Sequence, residues 1–145
     1  MTAHDFSDGA GPVPAHQHAN GGGWVADTAT VEPAACVGPD ASVFGSARVY
    51  GSARVYGSAR VYDSACVADT ARVYGTASVY GTASVYGTAD VYGSASVYGW
   101  ACVFGAARVY GTARVYGTAN VFGTARVDEG GVAAGDITAA DRQGT

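Results

Sequence analysis

The sequence has no leucine, no lysine, and only one isoleucine and one methionine among 145 residues. Hydrophobic residues still make up 48% of the chain, but most are alanine, valine or tyrosine. Large interlocking aliphatic side chains, which fill the interior of most globular domains, are therefore almost absent. We expect a thin interior made of small side chains.

No stretch approaches the length of a membrane-spanning segment, and residues 1–23 lack the basic region and apolar run of a signal peptide. We therefore expect a cytoplasmic protein, or one carried in a phage particle, with no membrane partner. The chain has three cysteines, Cys36, Cys66 and Cys102. An odd number of cysteines without a secretion signal predicts free thiols.

Charge is distributed unevenly along the chain. The net charge is -4, yet residues 44–127 carry seven arginines and only three aspartates, so the acidic residues concentrate near the two ends. A net charge of +4 over this middle segment is too weak to indicate a nucleic-acid-binding protein. We expect that nucleic acid is not its partner.

A six-residue repeat organises the middle of the chain. Every sixth residue from Val25 to Val127 is valine, which gives 18 positions, and every sixth residue from Ala29 to Ala125 is alanine, which gives 17. The unit is Ala-x-Val, then Tyr or Phe, then Gly or Asp, then Ser or Thr. In Ala-x-Val the two aliphatic residues face one side of an extended strand, and the following glycine indicates a turn.

Each hexad therefore predicts a short strand followed by a corner. A single hexad cannot bury the apolar side of its own strand. Three hexads close a triangular coil of 18 residues, and stacked coils pair their backbones at a spacing of about 4.8 Å. The repeat predicts an all-β fold, a parallel β-solenoid of five to six coils. In this geometry Cys66 and Cys102 lie two coils apart, roughly 9.6 Å, which is beyond the reach of a disulfide.

Stretches such as "VYGTA" and "VYGSA" resemble the hexapeptide-repeat proteins, in which an aliphatic residue is followed four positions later by a small one. The resemblance covers about residues 24–127 and implies a left-handed parallel β-helix. The long uninterrupted runs look most like repeat-only members from bacteria and phages. One departure is the Tyr or Phe after most of the valines, where the enzymes of the family often have a small residue.

The same resemblance raises two enzyme hypotheses, an acyltransferase and a γ-class carbonic anhydrase. Both use histidine, as a general base or as metal ligands. The only histidines here are His4, His16 and His18, and none lies in the repeats. We therefore favour a chain without catalytic, cofactor-binding or metal-binding residues, and keep these enzymes as the disfavoured alternative.

The outward positions recur once in every coil and should stack in columns. One column reads Arg, Arg, Asp, Arg, Arg, and the aromatic column beside it is entirely tyrosine before ending in Asp128. The candidate interaction surface consists of Arg54, Tyr56, Arg72, Tyr74, Asp90, Tyr92, Arg108, Tyr110 and Arg126.

Two interpretations of these columns stay open. Planar arginine and aromatic groups suit a protein partner, a glycan or another acidic polymer, or a homo-oligomer (dimer or trimer) or larger assembly. Alternatively, Asp90 only relieves repulsion between Arg72 and Arg108, and the tyrosines only stack along the rod. We expect a non-enzymatic structural or interaction module. An ice-binding solenoid is a weaker alternative, because the Ser/Thr columns are interrupted by Ala106 and Trp100.

The ends of the chain lack the repeat. Residues 1–23 and 130–145 are predicted to be a flexible N-terminal arm and a flexible C-terminal tail around a β-helix domain at 24–129. The alternative is that one of them folds over an end of the rod. The prolines and acidic residues of the first coil, and the "DEGG" after the last, are expected to discourage end-to-end stacking.

Overall fold

The computed structural model describes residues 3–6, 9, 11–128, 130–132 and 136–139. Within these residues the backbone forms strands and turns and contains no helix. Consequently the described part of the chain offers no helix of the length and apolar character required to cross a membrane. The all-β class predicted from the repeat is confirmed.

Nearly every hexad forms a two-residue strand, x-Val, followed by a turn. The strands of the N-terminal segment and first coil are β1 Ala3–Asp5, β2 Pro12–Gln17, β3 Trp24–Ala26, β4 Thr30–Val31 and β5 Cys36–Val37. Those of the middle coils are β6 Ser42–Val43, β7 Arg48–Val49, β8 Arg54–Val55, β9 Arg60–Val61, β10 Cys66–Val67, β11 Arg72–Val73, β12 Ser78–Val79, β13 Ser84–Val85 and β14 Asp90–Val91. The remaining strands are β15 Ser96–Val97, β16 Cys102–Val103, β17 Arg108–Val109, β18 Arg114–Val115, β19 Asn120–Thr124, β20 Arg126–Val127, β21 Gly131–Val132 and β22 Asp136–Ala139.

The strands pair into three sheets that form the three sides of the rod. The first sheet has the order β1-β2-β3-β6-β9-β12-β15-β18-β21, the second β22-β19-β16-β13-β10-β7-β4, and the third β20-β17-β14-β11-β8-β5. Within the repeats each strand pairs in parallel with the strand three hexads further along the chain, as Val67 does with Val85. The chain is thus a parallel β-solenoid of about six turns.

The interior is the column of valines and alanines that the hexad predicts. From Ala35 to Val127 every repeat valine and all but one of the repeat alanines are fully shielded from solvent, and that one, Ala41, is 1% exposed. The x and Tyr/Phe amides of each hexad donate to carbonyls of the next coil, for example Arg72 N to the Ala89 oxygen at 2.9 Å and Tyr74 N to the Val91 oxygen at 2.9 Å. Inter-coil hydrogen bonds therefore join each turn to the next along its whole length.

The corners require a left-handed backbone conformation. Gly93 has φ of 69°, and a Cβ there would lie 2.8 Å from the amide nitrogen of Gly111 in the next coil. Asp63 and Asp69 take the same corner position with φ of 59° and 62°. Their carboxylates accept hydrogen bonds from the amides of Gly81 and Gly87, which offsets strain that most side chains would suffer there.

The N-terminal segment contains a β-hairpin that the repeat did not predict. Strand β2 pairs antiparallel with β3, and β1 pairs antiparallel with β2, so the first sheet continues beyond the first coil. Phe6 and Ala15 of this hairpin are buried with Ala26 and Phe44 of the coils in a second apolar cluster. The sequence gives little sign of this because the hairpin has no hexad period.

The solenoid also continues past residue 129. Strand β21 pairs in parallel with β18, with Val132 opposite Val115, and β22 pairs in parallel with β19, with Ile137 opposite Val121. The paired residues here are separated by fewer than the 18 residues of a regular coil. The reason is that Val127, Val132 and Ile137 follow one another at five-residue steps. The strict six-residue pattern ends there although the coil does not.

Strands thus lie on both sides of the expected boundaries at 23/24 and 129/130, and the strands of each end continue the sheets of the coils. The alternative of an end folded over the rod also stays a prediction. Residues 1, 2, 7, 8 and 10 of the expected arm and residues 133–135 and 140–145 of the expected tail lie outside the described residues. The mobility that we expect of the two ends stays a prediction, as does the left-handed sense of the coil.

Candidate interaction surface

The third sheet carries the predicted arginine column in the predicted register. Adjacent strands place Arg54 beside Arg72, Arg72 beside Asp90, Asp90 beside Arg108, and Arg108 beside Arg126. All four arginines are exposed, whereas Asp90 is buried. We call this side of the rod, with its adjoining tyrosine column, the Arg–Tyr face.

Asp90 forms an ion pair with one of its two arginine neighbours. Its Oδ1 lies 3.0 Å from Nε of Arg72, and the two side chains are 10% and 48% exposed, respectively. The Asp90 carboxylate raises the pKa of the Arg72 guanidinium further above its already high value. Among the described residues this is the only ion pair made by an arginine, so Arg54, Arg108 and Arg126 present positive charge to solvent.

Replacing Asp90 by arginine should lower the free energy of unfolding by about 1–2 kcal/mol, because an ion pair is lost and two like-charge neighbours are created. Thermal melts monitored by circular dichroism measure the change. Ser84→Arg is the matched control, since Ser84 holds the same outward position on the second sheet between Cys66 and Cys102. If Asp90→Arg melted like the control at low salt, the charge-relief interpretation would be wrong.

The tyrosines of the Arg–Tyr face form a stacked ladder. Ring centroids are 4.8 Å apart between Tyr56 and Tyr74, 4.9 Å between Tyr74 and Tyr92, and 5.1 Å between Tyr92 and Tyr110. The planes of neighbouring rings differ by no more than 6°. The ring spacing is therefore the spacing of the coils.

Stacking determines which part of each ring meets solvent. In an inner rung such as Tyr74, both faces are covered by neighbours, so only the ring edge and the hydroxyl project from the rod. The open face at the N-terminal end of the ladder belongs to Tyr56. A partner that lies along this face therefore meets guanidinium and phenol groups in rows, and not flat aromatic surfaces.

Burial raises the pKa of five phenols on the sides of the rod above the ordinary value of 10.0. These are Tyr62, Tyr74, Tyr80, Tyr86 and Tyr92, and in each of them desolvation by burial is the largest cause. For Tyr74 the negative charge of Asp90 adds to the increase, whereas Arg108 opposes it for Tyr92. Ionisation of these rings is disfavoured in the folded rod.

This shift predicts alkaline instability. A phenol whose pKa is higher in the folded than in the unfolded state keeps its full contribution below about pH 10, and that contribution is lost as the pH rises through the folded pKa. We expect the melting temperature to be unaffected by phenol ionisation up to about pH 9 and to fall above pH 10. Phenolate absorbance at 295 nm should rise together with unfolding. A melting temperature that stayed level while the phenols ionised would contradict the prediction.

A second ladder runs along the first sheet through Phe44, Tyr62, Tyr80, Tyr98 and Tyr116, with centroid spacings from 4.8 to 5.2 Å. The first coil has Ala26 in this column, and Phe6 from the hairpin fills the space by stacking on Phe44 at 4.8 Å. Arg60 donates to the Phe6 carbonyl oxygen at 2.7 Å, and its guanidinium lies 5.2 Å from the Phe44 ring centroid. Sequence reasoning missed this contact because the hairpin lies outside the repeat.

The histidines hold the hairpin region together. The His4 ring stacks on Trp24 at 4.5 Å, and the His18 ring nitrogen Nε2 lies 2.8 Å from the Ala35 carbonyl oxygen. His16 Nδ1 lies 2.8 Å from Asp27 Oδ1, with both side chains about half exposed. Only the antiparallel register of β2 and β3 brings this last pair together. Among the described residues no group of His, Cys, Asp or Glu side chains is arranged to hold a metal ion.

All three cysteines are free and half-buried, which confirms the prediction of free thiols. Cys66 and Cys102 lie on opposite sides of Ser84 in the second sheet, two coils apart as expected. Burial raises the pKa of both thiols, and at Cys66 the charge of Arg48 opposes this increase. The raised pKa leaves less of the nucleophilic thiolate at neutral pH.

The hydroxyl groups of the corner threonines donate hydrogen bonds along the rod. Thr76, Thr82 and Thr88 each donate to a glycine carbonyl of the next coil at 2.7–3.0 Å. Trp100 replaces a Ser/Thr residue at one corner and is 70% exposed, the only exposed large hydrophobic residue among those described. Ice binding by these columns stays the weaker alternative.

Comparison with protein-family models, with curated proteins and with solved structures yields no match to this chain. The fold therefore rests on its repeat and on the pairing of its strands. The likeness to hexapeptide-repeat proteins and the bacterial or phage origin stay predictions.

Proposed function

We propose that the chain is a non-enzymatic interaction module, a rigid rod whose Arg–Tyr face binds an acidic glycan. The observation that carries the proposal is the row of exposed arginines, of which Arg54, Arg108 and Arg126 form no ion pair among the described residues. Rows of guanidinium groups suit the carboxylates of an extended acidic polymer.

The tyrosine ladder favours a glycan over a nucleic acid. Single-stranded nucleic acids bind by stacking their bases on aromatic faces, and the faces of the inner rungs are covered. A phenol hydroxyl both donates and accepts a hydrogen bond, which suits a polymer rich in hydroxyl groups. The row of hydroxyls runs along the rod parallel to the row of arginines.

Binding of polygalacturonate, measured by isothermal titration calorimetry at low salt, tests the proposal. We expect Arg108→Gln combined with Arg126→Gln to weaken binding about tenfold or more, the effect of losing charge-assisted hydrogen bonds. Arg48→Gln combined with Arg114→Gln is the matched control, because it removes the same charge from the other two sheets. Binding should also weaken as salt is added.

Three results would overturn the proposal: no binding of polygalacturonate, equal loss in the two double variants, or equal binding of neutral dextran. Sedimentation velocity of the unliganded protein measures the competing use of the same face, self-association into a dimer, trimer or larger assembly. If Arg108 and Arg126 proved necessary for such an assembly and not for glycan binding, the face would be a self-association surface.

A further inference from the structure

The Arg–Tyr face has an unfilled position at its N-terminal end. Here the first coil has Ala34, Cys36 and Gly38, where the second coil has Ser52, Arg54 and Tyr56. A groove at this place is lined by Asn20, Ala34, Cys36, Ser52, Arg54 and Tyr56. Because Gly38 has no side chain, the tyrosine ladder stops one rung short of the end of the rod.

The first sheet shows what fits such a gap. There the first coil has Ala26 in the ladder column, and the Phe6 ring occupies the free space, 4.8 Å from the Phe44 ring and tilted by 17°. Among the described residues, the only ring that stacks on Tyr56 is that of Tyr74, so the opposite side of Tyr56 has no aromatic neighbour. Every Phe, Tyr and Trp of the chain lies within the described residues, so no further aromatic side chain of this chain remains to fill the gap.

The polar groups around the gap include one positive charge, which favours an anionic ligand. Arg54 is exposed and, within the described part of the chain, has no acidic partner. The Asn20 amide donates to the Ala34 carbonyl oxygen at 3.4 Å, which keeps this residue beside the groove. A planar ring on Tyr56 with an acidic substituent toward Arg54 would satisfy both the uncovered ring face and the unpaired guanidinium.

We propose that this groove is a binding site for a small planar aromatic anion, a ring that carries a carboxylate or phosphate group. The ring stacks on Tyr56 as the missing rung of the ladder, and the anionic group accepts hydrogen bonds from Arg54. The site shares these two residues with the glycan surface proposed above. It does not need Arg108 or Arg126, so either proposal can fail while the other holds.

Titration of the isotopically labelled full chain with 2-naphthoate, followed by amide shifts in ¹H–¹⁵N spectra, tests the site. We expect saturable shifts concentrated at residues 34–38 and 52–56. Arg54→Gln and Tyr56→Leu should each weaken binding about tenfold or more. Arg126→Gln and Tyr110→Leu change the same column and the same ladder at the other end, and should bind like the wild type.

Cyclohexanecarboxylate, an anion without an aromatic ring, and 2-naphthamide, a ring without the charge, should both bind more weakly than 2-naphthoate. No saturable shift, shifts spread over the whole face, or equal effects of the two pairs of variants would overturn the proposal. So would binding that is seen in a Trp100→Ser variant without self-association and not in the wild type, because the exposed tryptophan of a second copy would then be the natural occupant.

Discussion

Val85→Asp is expected to abolish cooperative folding of the rod. Val85 is fully buried and pairs with Val67 on one side and Val103 on the other, in the middle of the second sheet. A carboxylate there would face only valine and alanine side chains, and an unpaired buried charge costs about 3–5 kcal/mol or more. That is a large part of the roughly 5–15 kcal/mol by which most domains are stable.

Two variants at the same place separate charge from position. Ser84→Asp puts the carboxylate on the outward side of the same strand. Asp90 holds the equivalent outward position on the third sheet, so the fold accepts an aspartate there. We therefore expect little change in melting temperature. Val85→Ala removes two methyl groups and should cost about 2 kcal/mol. Melts monitored by circular dichroism measure all three, and an unchanged melt for Val85→Asp would place residue 85 outside the core.

The hexad was sufficient to predict the coils because its spacing determines both the buried side of each strand and the neighbours of each residue in the sheets. Spacing the valines six apart determines which side of each strand is buried, and three strands to a coil then determine which residues become neighbours. The pairing of Arg72 with Asp90 and of Tyr74 with Tyr92 could therefore be predicted from numbering alone. The register of the candidate surface follows from this numbering.

Features at the ends of the rod could not be predicted because they depend on contacts outside the period. Phe6 takes its place through the antiparallel hairpin and the space above Ala26. Ile137 continues the core through a shortened coil, which a search for six-residue steps does not find. By contrast, stacking of the tyrosines along the rod follows from their order in the repeat, and that part of the second interpretation is confirmed.

Deleting residues 1–19 is expected to turn the rod into a concentration-dependent oligomer with a lower melting temperature. The deletion removes β1 and β2. The backbone groups of β3 that pair with β2 then lose their hydrogen-bond partners. It also uncovers Phe44 and removes the carbonyl to which Arg60 donates. A strand edge beside an exposed aromatic ring is a template for pairing with another chain. Sedimentation velocity over a range of concentrations measures the growth.

Phe6→Ala separates edge protection from packing. This variant keeps the β1–β2–β3 pairing and removes only a ring that is 5% exposed. It should lose about 3 kcal/mol of stability while its mass in solution stays that of the wild type. If the point variant associated as strongly as the deletion, the Phe6 ring itself would be what keeps this end of the rod from stacking. If neither associated, the hairpin would stabilise the first coil without protecting its edge.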